Sequence, residues 1–224
     1  MPLTVHHLQV SQSERVPWLC EELGIDYTLK NYKRAPLLAP DEYKALHHSG
    51  SAPVIQDGDI TLAESGACLE YIAQIYGKGK FIVKPGEANY ADYLYWWHWA
   101  NGTFQPLIGR YLASRNDPSS FFYKYTEDKL NRSLGALEEQ LTKNDYLAGS
   151  ELTIADIMLV YTLGTGRYFS PFSLKGYPHI IKYLERTAAR DAHKAASKKC
   201  DPDLPRLLGE EGPEKSFLEM QKKD

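Results

Sequence analysis

The order of strand and helix signals in the first third of the chain constrains its fold more than any other feature. Residues 3–8 have weak strand character, and residues 16–23 carry apolar side chains at the spacing of one helix face. Gly24 ends this helix, and residues 25–29 have the pattern of a second strand. The chain is therefore predicted to open with a β-α-β unit.

A long connection and a hairpin follow this unit. Residues 30–52 are typical of a connection with at most one short helix, near Glu42–Leu46. Residues 53–62 predict two short strands, because Asp57-Gly58 supplies the positive φ angles that a tight turn needs. A helical stripe then runs from residue 64 to residue 77. The order is βαβ followed by ββα, which is the element order of a thioredoxin-like fold.

The remaining sequence is helical almost to its end. Residues 122–143 have the spacing of an amphipathic helix, and Thr153 stands three residues before Asp156, the spacing of a capping box that opens a buried helix. A last amphipathic helix starts near residues 177–180. The fold class is thus an α/β domain followed by an all-α domain. The predicted divisions are residues 1–79 for the thioredoxin-like domain, 80–88 for a linker, 89–200 for the all-helical domain and 201–224 for a peripheral tail.

Charge and cysteine content exclude several classes of protein. Lys and Arg number 26 against 29 Asp and Glu, so no basic excess is present to neutralise phosphates, and nucleic acid is not expected as a ligand. No basic leader and no apolar run of about 18 residues is present, which predicts a soluble cytoplasmic protein without a membrane partner. Three widely spaced cysteines predict reduced thiols, and the adjacent pairs His6-His7 and His47-His48 do not suit a metal. We find no hydrolase, NTPase or Rossmann motif.

Two short segments have features of a ligand site. If the Ala52-Pro53 bond is cis, the backbone of Val54 would face an extended peptide-like ligand; the alternative is a trans proline at a strand start. Glu64-Ser65 opens a helix, where amide groups attract a carboxylate; the alternative is a plain helix cap with an acidic first turn.

Together with two further stretches, these segments resemble the cytosolic glutathione S-transferase family, over roughly residues 3–200. The stretches are Glu21–Tyr27, Ser51–Ile55, Leu62–Ala67 and Thr153–Asp156. Within the family, the opening is similar to the bacterial and fungal serine-type branch with His-x-Leu-x-x-Ser-x-x-x-Arg, here residues 6–15. The resemblance implies a thioredoxin-like domain, an all-helical C-terminal domain, a homodimer, and glutathione as cosubstrate.

By the same resemblance, Ser11 is the residue expected to touch the glutathione sulfur. No tyrosine precedes Tyr27 and no cysteine precedes Cys20, so the tyrosine and cysteine classes do not fit. Ser13 is the second candidate, because its hydroxyl could be either the thiolate partner or the cap of the first helix.

The resemblance also implies how glutathione is held. Val54 would pair with the cysteinyl backbone beside a cis Pro53, and Glu64 and Ser65 would hold the γ-glutamyl end. Related sequences often have Gly-Lys-x-Pro where this chain has Ser51 and Ala52 before the proline. This departure weakens the expected grip on the glycine carboxylate, unless a loop residue compensates. The candidates for that role are His47, Lys33 and Arg34.

An electrophilic, hydrophobic cosubstrate would lie against the aromatic-rich region after residue 89, although most of these rings could equally be core. The expected function is transfer of glutathione thiolate to such electrophiles. The alternatives are a glutathione-dependent isomerase, peroxidase or biosynthetic enzyme forming carbon–sulfur bonds, and a non-catalytic binding module. The candidate pocket residues are Tyr95, Trp96, His98, Trp99, Asn101 and Thr103.

Overall fold

The computed structural model describes residues 2–217, and it divides the chain into two compact units. The first unit is Met1–Ile82 together with Thr187–Arg206. The second is Val83–Arg186 together with the described residues after Arg206. No helix within residues 2–217 is long and apolar enough to cross a membrane.

A four-stranded mixed sheet forms the first unit and confirms the predicted thioredoxin-like order. Strand β1 is parallel to β2 and antiparallel to β3, and β3 is antiparallel to β4, in the order β2-β1-β3-β4. Val5 pairs with Leu29 and Ile55 across the sheet and is fully buried. The strands are β1 (Thr4–Leu8), β2 (Thr28–Tyr32), β3 (Val54–Asp57) and β4 (Ile60–Ala63).

Strand β2 begins three residues later than the sequence pattern predicts. Gly24 adopts φ 64° at the end of the preceding helix, and the amide of Ile25 donates to the carbonyl of Cys20 at 3.2 Å. Residues 25–27 thus belong to the helix stop, because this left-handed cap uses the residues that follow the glycine. Pairing starts only where Thr28 donates to the Leu3 carbonyl at 2.8 Å.

Four helices accompany the sheet. Helix α9 packs against α1, where the Trp18 and His193 rings meet edge to face at 4.6 Å. This packing groups residues 187–206 with the sheet, whereas the sequence divisions place a domain end at residue 200. The helices are α1 (Arg15–Leu23), α2 (Asp41–Lys44), α3 (Ser65–Ile75) and α9 (Asp191–Cys200).

The second unit is helical, as predicted. A π-helical turn at Ala100–Phe104 joins its first two helices, and the rings of Trp99 and Phe104 stack at 4.7 Å. The predicted capping box of Thr153 and Asp156 is present and opens the buried helix α7, which begins at Ile154. The helices are α4 (Tyr90–Trp99), α5 (Gln105–Ser114), α6 (Phe121–Lys143), α7 (Ile154–Leu163) and α8 (Pro178–Ala189), whose last turn belongs to the first unit.

Replacing Gly77 with alanine should lower the free energy of unfolding by about 1–3 kcal/mol, because the closely packed end of α3 has no room for a methyl group. A Cβ at Gly77 would lie 2.7 Å from the Ala73 carbonyl oxygen and 2.8 Å from the Leu23 Cδ2 atom. Gly135→Ala is the matched control, since a Cβ there meets nothing within 4 Å, and it should stabilise α6 by about 0.5–1 kcal/mol. Urea unfolding measures both, and equal changes in the two variants would contradict this packing.

Candidate active site

Ser11 lies in the turn that follows β1. It caps the 3-10 turn Gln12–Glu14, which runs directly into α1, and its Oγ accepts from the Ser13 amide at 3.2 Å. The cap is therefore Ser11, and of the two roles that the sequence leaves open for the Ser13 hydroxyl, the structure does not show the helix cap. The 3-10 turn Gln12–Glu14 lies between Ser11 and the first regular turn of α1, which begins at Arg15.

The backbone before Ser11 is strained. Val10 has φ 48°, a region that β-branched residues rarely enter and that costs about 1–3 kcal/mol. Its amide donates to both carboxylate oxygens of Asp201 at 3.1 Å. The Arg34 guanidinium donates to the carbonyls of Gln9 and Val10, at 2.9 and 3.0 Å. Two distant side chains thus hold the turn in the shape that presents Ser11.

The two candidate serines differ in how fully their hydroxyls are used. Ser13 is completely buried; its Oγ accepts from the Leu8 amide at 3.0 Å and lies 2.9 Å from the His7 Nδ1 atom and 2.7 Å from the Ser11 Oγ. A hydroxyl has one donor and two acceptor positions, so Ser13 is saturated. The hydroxyl of Ser11 has only Ser13 as a partner among the described residues. Ser11 therefore retains capacity for a ligand.

The strand segment at Pro53 lies beside this turn. The Ala52-Pro53 peptide bond is cis, which is the isomer that the family resemblance implies. Gln12 donates from Nε2 to the Ala52 carbonyl at 2.8 Å, and Val54 begins β3 immediately afterwards. Gln12 therefore connects the Ser11 turn to the segment expected to face the cysteinyl backbone.

A buried arginine extends the same network to the start of α3. The Nη1 atom of Arg15 donates to the Gln12 Oε1 at 3.1 Å and to the Ser65 Oγ at 3.0 Å. Ser65 is the buried first residue of α3, while Glu64 is exposed at the cap with φ 72°, another strained conformation. Three separate segments of the chain, those of Ser11, Pro53 and Ser65, are thus joined.

Sequence reasoning missed the roles of Gln12 and Arg15. Arg15 is completely buried and stands four residues before Leu19 on the apolar face of the first helix. A charged side chain on a buried face needs polar partners. This was a usable signal for Arg15, whereas nothing local distinguishes Gln12.

The loop expected to hold the glycine end has its own hydrogen bonds. The Ser49 amide donates to the His47 Nδ1 at 3.2 Å, and the Ser51 Oγ donates to the Ser49 Oγ at 3.2 Å. Lys33 is exposed. Arg34 donates to three backbone carbonyls, among them that of Leu37, so its guanidinium braces the backbone.

The candidate pocket residues of α4 divide between two environments of the second unit. Trp96 and Trp99 are buried and pack edge to face at 5.0 Å. The structure thus places these two rings in the core of that unit. The other side chains are exposed: Tyr95, His98, Asn101 and Thr103. A separate cleft of about 130 Å³ in the same unit is lined by Gln105, Ile108, Tyr161 and Phe169, among others.

The three cysteines do not form a reactive centre. Cys20, Cys68 and Cys200 are buried free thiols, and burial raises the pKa of each, to about 12 for Cys68. A thiol is a nucleophile only when deprotonated, so these groups are poor nucleophiles near neutral pH. Within residues 2–217, no group of three or more His, Cys, Asp and Glu side chains is arranged to hold a metal ion.

Comparison with known proteins assigns both parts of the chain. The model of the glutathione S-transferase N-terminal domain matches residues 1–74, and that of the C-terminal domain matches residues 106–191. The chain is 27% identical to glutathione S-transferase 3 of Schizosaccharomyces pombe, over 93% of this chain and 92% of that protein.

Solved structures of glutathione S-transferases are also similar to this chain. A glutathione S-transferase from Actinobacillus pleuropneumoniae is 33% identical, with a TM-score of 0.82 over 89% of this chain and 93% of that one. The theta class enzyme of Xanthomonas axonopodis pv. citri, solved with glutathione bound, is 23% identical over 88% of this chain and 97% of that one, with a TM-score of 0.69, and shares the fold. With both domain models matched and this identity to a solved member, the chain belongs to the glutathione S-transferase family.

Proposed function

We propose that this protein is a glutathione transferase that binds glutathione in its first unit and stabilises the thiolate with Ser11. Its relatives and structural neighbours are glutathione S-transferases, some of them solved with glutathione bound, which supports glutathione conjugation. The observation that carries the proposal is the hydrogen-bond network from Gln12 through Arg15, which joins the Ser11 turn to Ala52 and Ser65.

Ser11 needs to supply only a small free energy to stabilise the glutathione thiolate. A free thiol has a pKa near 8.5, and lowering it by about 2 units requires roughly 2.7 kcal/mol. A hydrogen bond to a charged group contributes about 1.5–3 kcal/mol, and the amide end of a helix adds about 0.3–1 kcal/mol. The hydroxyl of Ser11, at the start of the helical segment that continues into α1, combines both contributions. The thiolate then attacks an electrophilic carbon, and no covalent enzyme intermediate is needed.

The rest of glutathione is proposed to bind along the network. Val54 would pair with the cysteinyl backbone, and the γ-glutamyl carboxylate would meet Ser65 at the start of α3, where the positive end of the helix dipole favours an anion. Glu64 would face the γ-glutamyl ammonium group. Ser51 leaves the glycine carboxylate with a hydroxyl partner in place of a cation, so we expect this end to contribute little affinity.

Conjugation is the direct test of this function. The purified protein is incubated with reduced glutathione and an activated chloronitrobenzene, and the thioether is detected by mass spectrometry. We expect conjugate formation well above the uncatalysed rate. Glutathione binding without conjugation of any electrophile would instead favour the non-catalytic binding module, the alternative that the Ser51 departure favours.

Ser65→Ala should raise the KM for glutathione about tenfold and leave kcat within about twofold, because Ser65 is expected to contact the γ-glutamyl end and not the sulfur. Ser114→Ala is the matched control. It also removes a buried serine hydroxyl, which is bound to Thr126 at 2.9 Å in the second unit. Steady-state kinetics with varied glutathione measures both variants, and a loss confined to kcat in Ser65→Ala would contradict its role.

The homodimer and the serine-type branch stay predictions from the family resemblance. The cytoplasmic location stays a prediction from the absence of a basic leader and a long apolar run, and the hydrophobic class of electrophile one from the aromatic-rich region after residue 89. Light scattering on the purified chain measures the oligomeric state, and a panel of electrophiles measures the substrate class. The cleft beside Gln105 and Tyr161 is a further candidate for the electrophile, because it is lined by both apolar and polar side chains.

A further inference from the structure

Four side chains of the first unit form a continuous hydrogen-bonded chain that ends at Ser11. The Nε2 atom of His7 lies 2.9 Å from the Asp201 Oδ2, and its Nδ1 atom lies 2.9 Å from the Ser13 Oγ. The Ser13 Oγ in turn lies 2.7 Å from the Ser11 Oγ. His7 and Ser13 are completely buried, and the Asp201 side chain is only 10% exposed. Water therefore has little access to this relay.

The partners determine where each hydrogen lies. The Asp201 carboxylate only accepts, so the His7 Nε2 carries a proton and, in the neutral ring, Nδ1 accepts from the Ser13 hydroxyl. The Ser13 oxygen accepts from the Leu8 amide at 3.0 Å and has one acceptor position left, toward Ser11. Every hydroxyl hydrogen in the relay thus points from Ser11 toward His7.

We propose that His7 is the proton acceptor for the bound thiol, acting through Ser13 and Ser11, and that Asp201 stabilises the imidazolium that forms. This inference rests on the proposed function. The S–H bond breaks and its proton moves to the Ser11 oxygen; the Ser11 proton moves to Ser13, and the Ser13 proton moves to the His7 Nδ1. The products are a thiolate and an imidazolium paired with the Asp201 carboxylate. After the C–S bond forms, the proton returns to solvent.

His6, the neighbouring histidine in β1, is also buried, but it has neither a carboxylate nor a serine as a partner. The Nδ1 atom of His6 lies 2.9 Å from the Tyr32 hydroxyl, and its Nε2 lies 3.0 Å from the Gln56 Oε1. Its partners are neutral, and burial lowers its pKa. His7 alone of the pair has a carboxylate on one side and a serine on the other. Other charged or titratable groups of the surrounding elements are Glu14, Arg15, Lys30, Arg34, Lys199 and Cys200.

Asp201→Asn removes the charge while keeping the acceptor that faces His7. An asparagine oxygen in the position of Oδ2 can accept from both the His7 Nε2 and the Val10 amide, whereas the second Val10 bond, to Oδ1, is lost. We expect kcat for conjugation at pH 6.5 to fall about tenfold or more, with the KM for glutathione within about twofold. The loss should shrink toward pH 9, because there the free thiol ionises without help. A pH profile that superimposes on that of the unmodified protein would overturn the relay.

His7→Asn and His6→Asn form a matched pair, since each removes a buried histidine from the same strand. Only His7→Asn should lose the rate at pH 6.5. Equal losses in the two variants, both folded by circular dichroism, would assign His7 a structural role and overturn the proposal.

Proton release upon glutathione binding gives an independent readout. Thiolate is measured by its ultraviolet absorbance, and released protons by calorimetry in buffers of different ionisation enthalpy. The relay predicts thiolate formation at pH 6.5 with clearly less than one proton released per thiolate, whereas full release would contradict it. If the unmodified protein binds no glutathione, both the proposed function and the relay are overturned. If the Asp201→Asn variant conjugates glutathione as fast as the unmodified protein, only the relay is overturned.

Discussion

Replacing Ser11 with alanine is expected to lower kcat for glutathione conjugation about 100-fold at pH 6.5 and much less at pH 8.5. Removing a donor that stabilises a developing anion typically costs that much. At the lower pH a thiol with a pKa near 8.5 is almost wholly protonated, so the reaction depends on stabilisation by the protein. At the higher pH half of the free thiol is already ionised. The ratio of the two losses therefore reports thiolate stabilisation and not positioning.

Two variants serve as comparisons for Ser11→Ala. Ser114→Ala, in the second unit, should leave both rates unchanged within about twofold. Ser13→Ala interrupts the relay and leaves the Leu8 amide without its partner, so its loss should be smaller than that of Ser11→Ala and accompanied by lower stability. Equal losses at both pH values in Ser11→Ala would contradict its assignment, and a larger catalytic loss in Ser13→Ala would transfer the role to Ser13.

Replacing Asp156 with alanine is expected to lower the free energy of unfolding by at least about 3 kcal/mol. The carboxylate is completely buried and accepts from the Leu147 amide at 2.9 Å and from the Thr153 amide at 2.8 Å. It also accepts from the hydroxyls of Thr153 at 2.9 Å and Tyr183 at 3.0 Å. Each buried donor left unsatisfied costs about 1–3 kcal/mol. Denaturant unfolding monitored by circular dichroism measures the loss.

Asp145→Ala is the matched control for Asp156→Ala in the same unit. Asp145 is paired with Arg186 at 2.9 Å, but the Asp145 side chain is 62% exposed and that of Arg186 37% exposed, and such solvent-accessible pairs contribute about 0–1 kcal/mol. A loss of similar size in both variants would show that the four donors around Asp156 find other partners, contrary to this account.

The sequence predicted those features whose signals are local. The Asp57-Gly58 hairpin, the capping box of Thr153 and the apolar stripe of α6 each depend on residues within a few positions of one another. Features of this kind can be predicted from short stretches of sequence, because they do not depend on which distant segments pack together. The cis bond at Pro53 is the isomer that the family resemblance implies.

Features that depend on distant partners could not be predicted. Asp201 stands 194 residues from His7 and lies in the segment predicted as a peripheral tail, yet its carboxylate contacts both His7 and Val10. The packing of α9 on α1 brings Asp201 next to His7, and no local sequence pattern predicts that packing. In the sequence, the adjacent His6 and His7 indicate only a poor pair of metal ligands, because the carboxylate and serine partners of His7 come from other parts of the chain.

The residue that caps the first helical segment also could not be predicted from local sequence alone. Ser11 and Ser13 both suit a cap by residue type, and only the 3-10 turn distinguishes them. Both side chains are buried in the structure, but the Ser11 hydroxyl is bonded only to Ser13 among the described residues, whereas the Ser13 hydroxyl is saturated by His7, Leu8 and Ser11.

The most direct test of the central claim, that this protein binds glutathione beside Ser11, is a calorimetric titration of the full chain with reduced glutathione at pH 6.5. We expect saturable binding in the micromolar to millimolar range, with glutathione disulfide binding more weakly because only the thiol can become the thiolate that Ser11 stabilises. Absence of saturable binding over that range would contradict the account, since every catalytic step derived above begins with this complex.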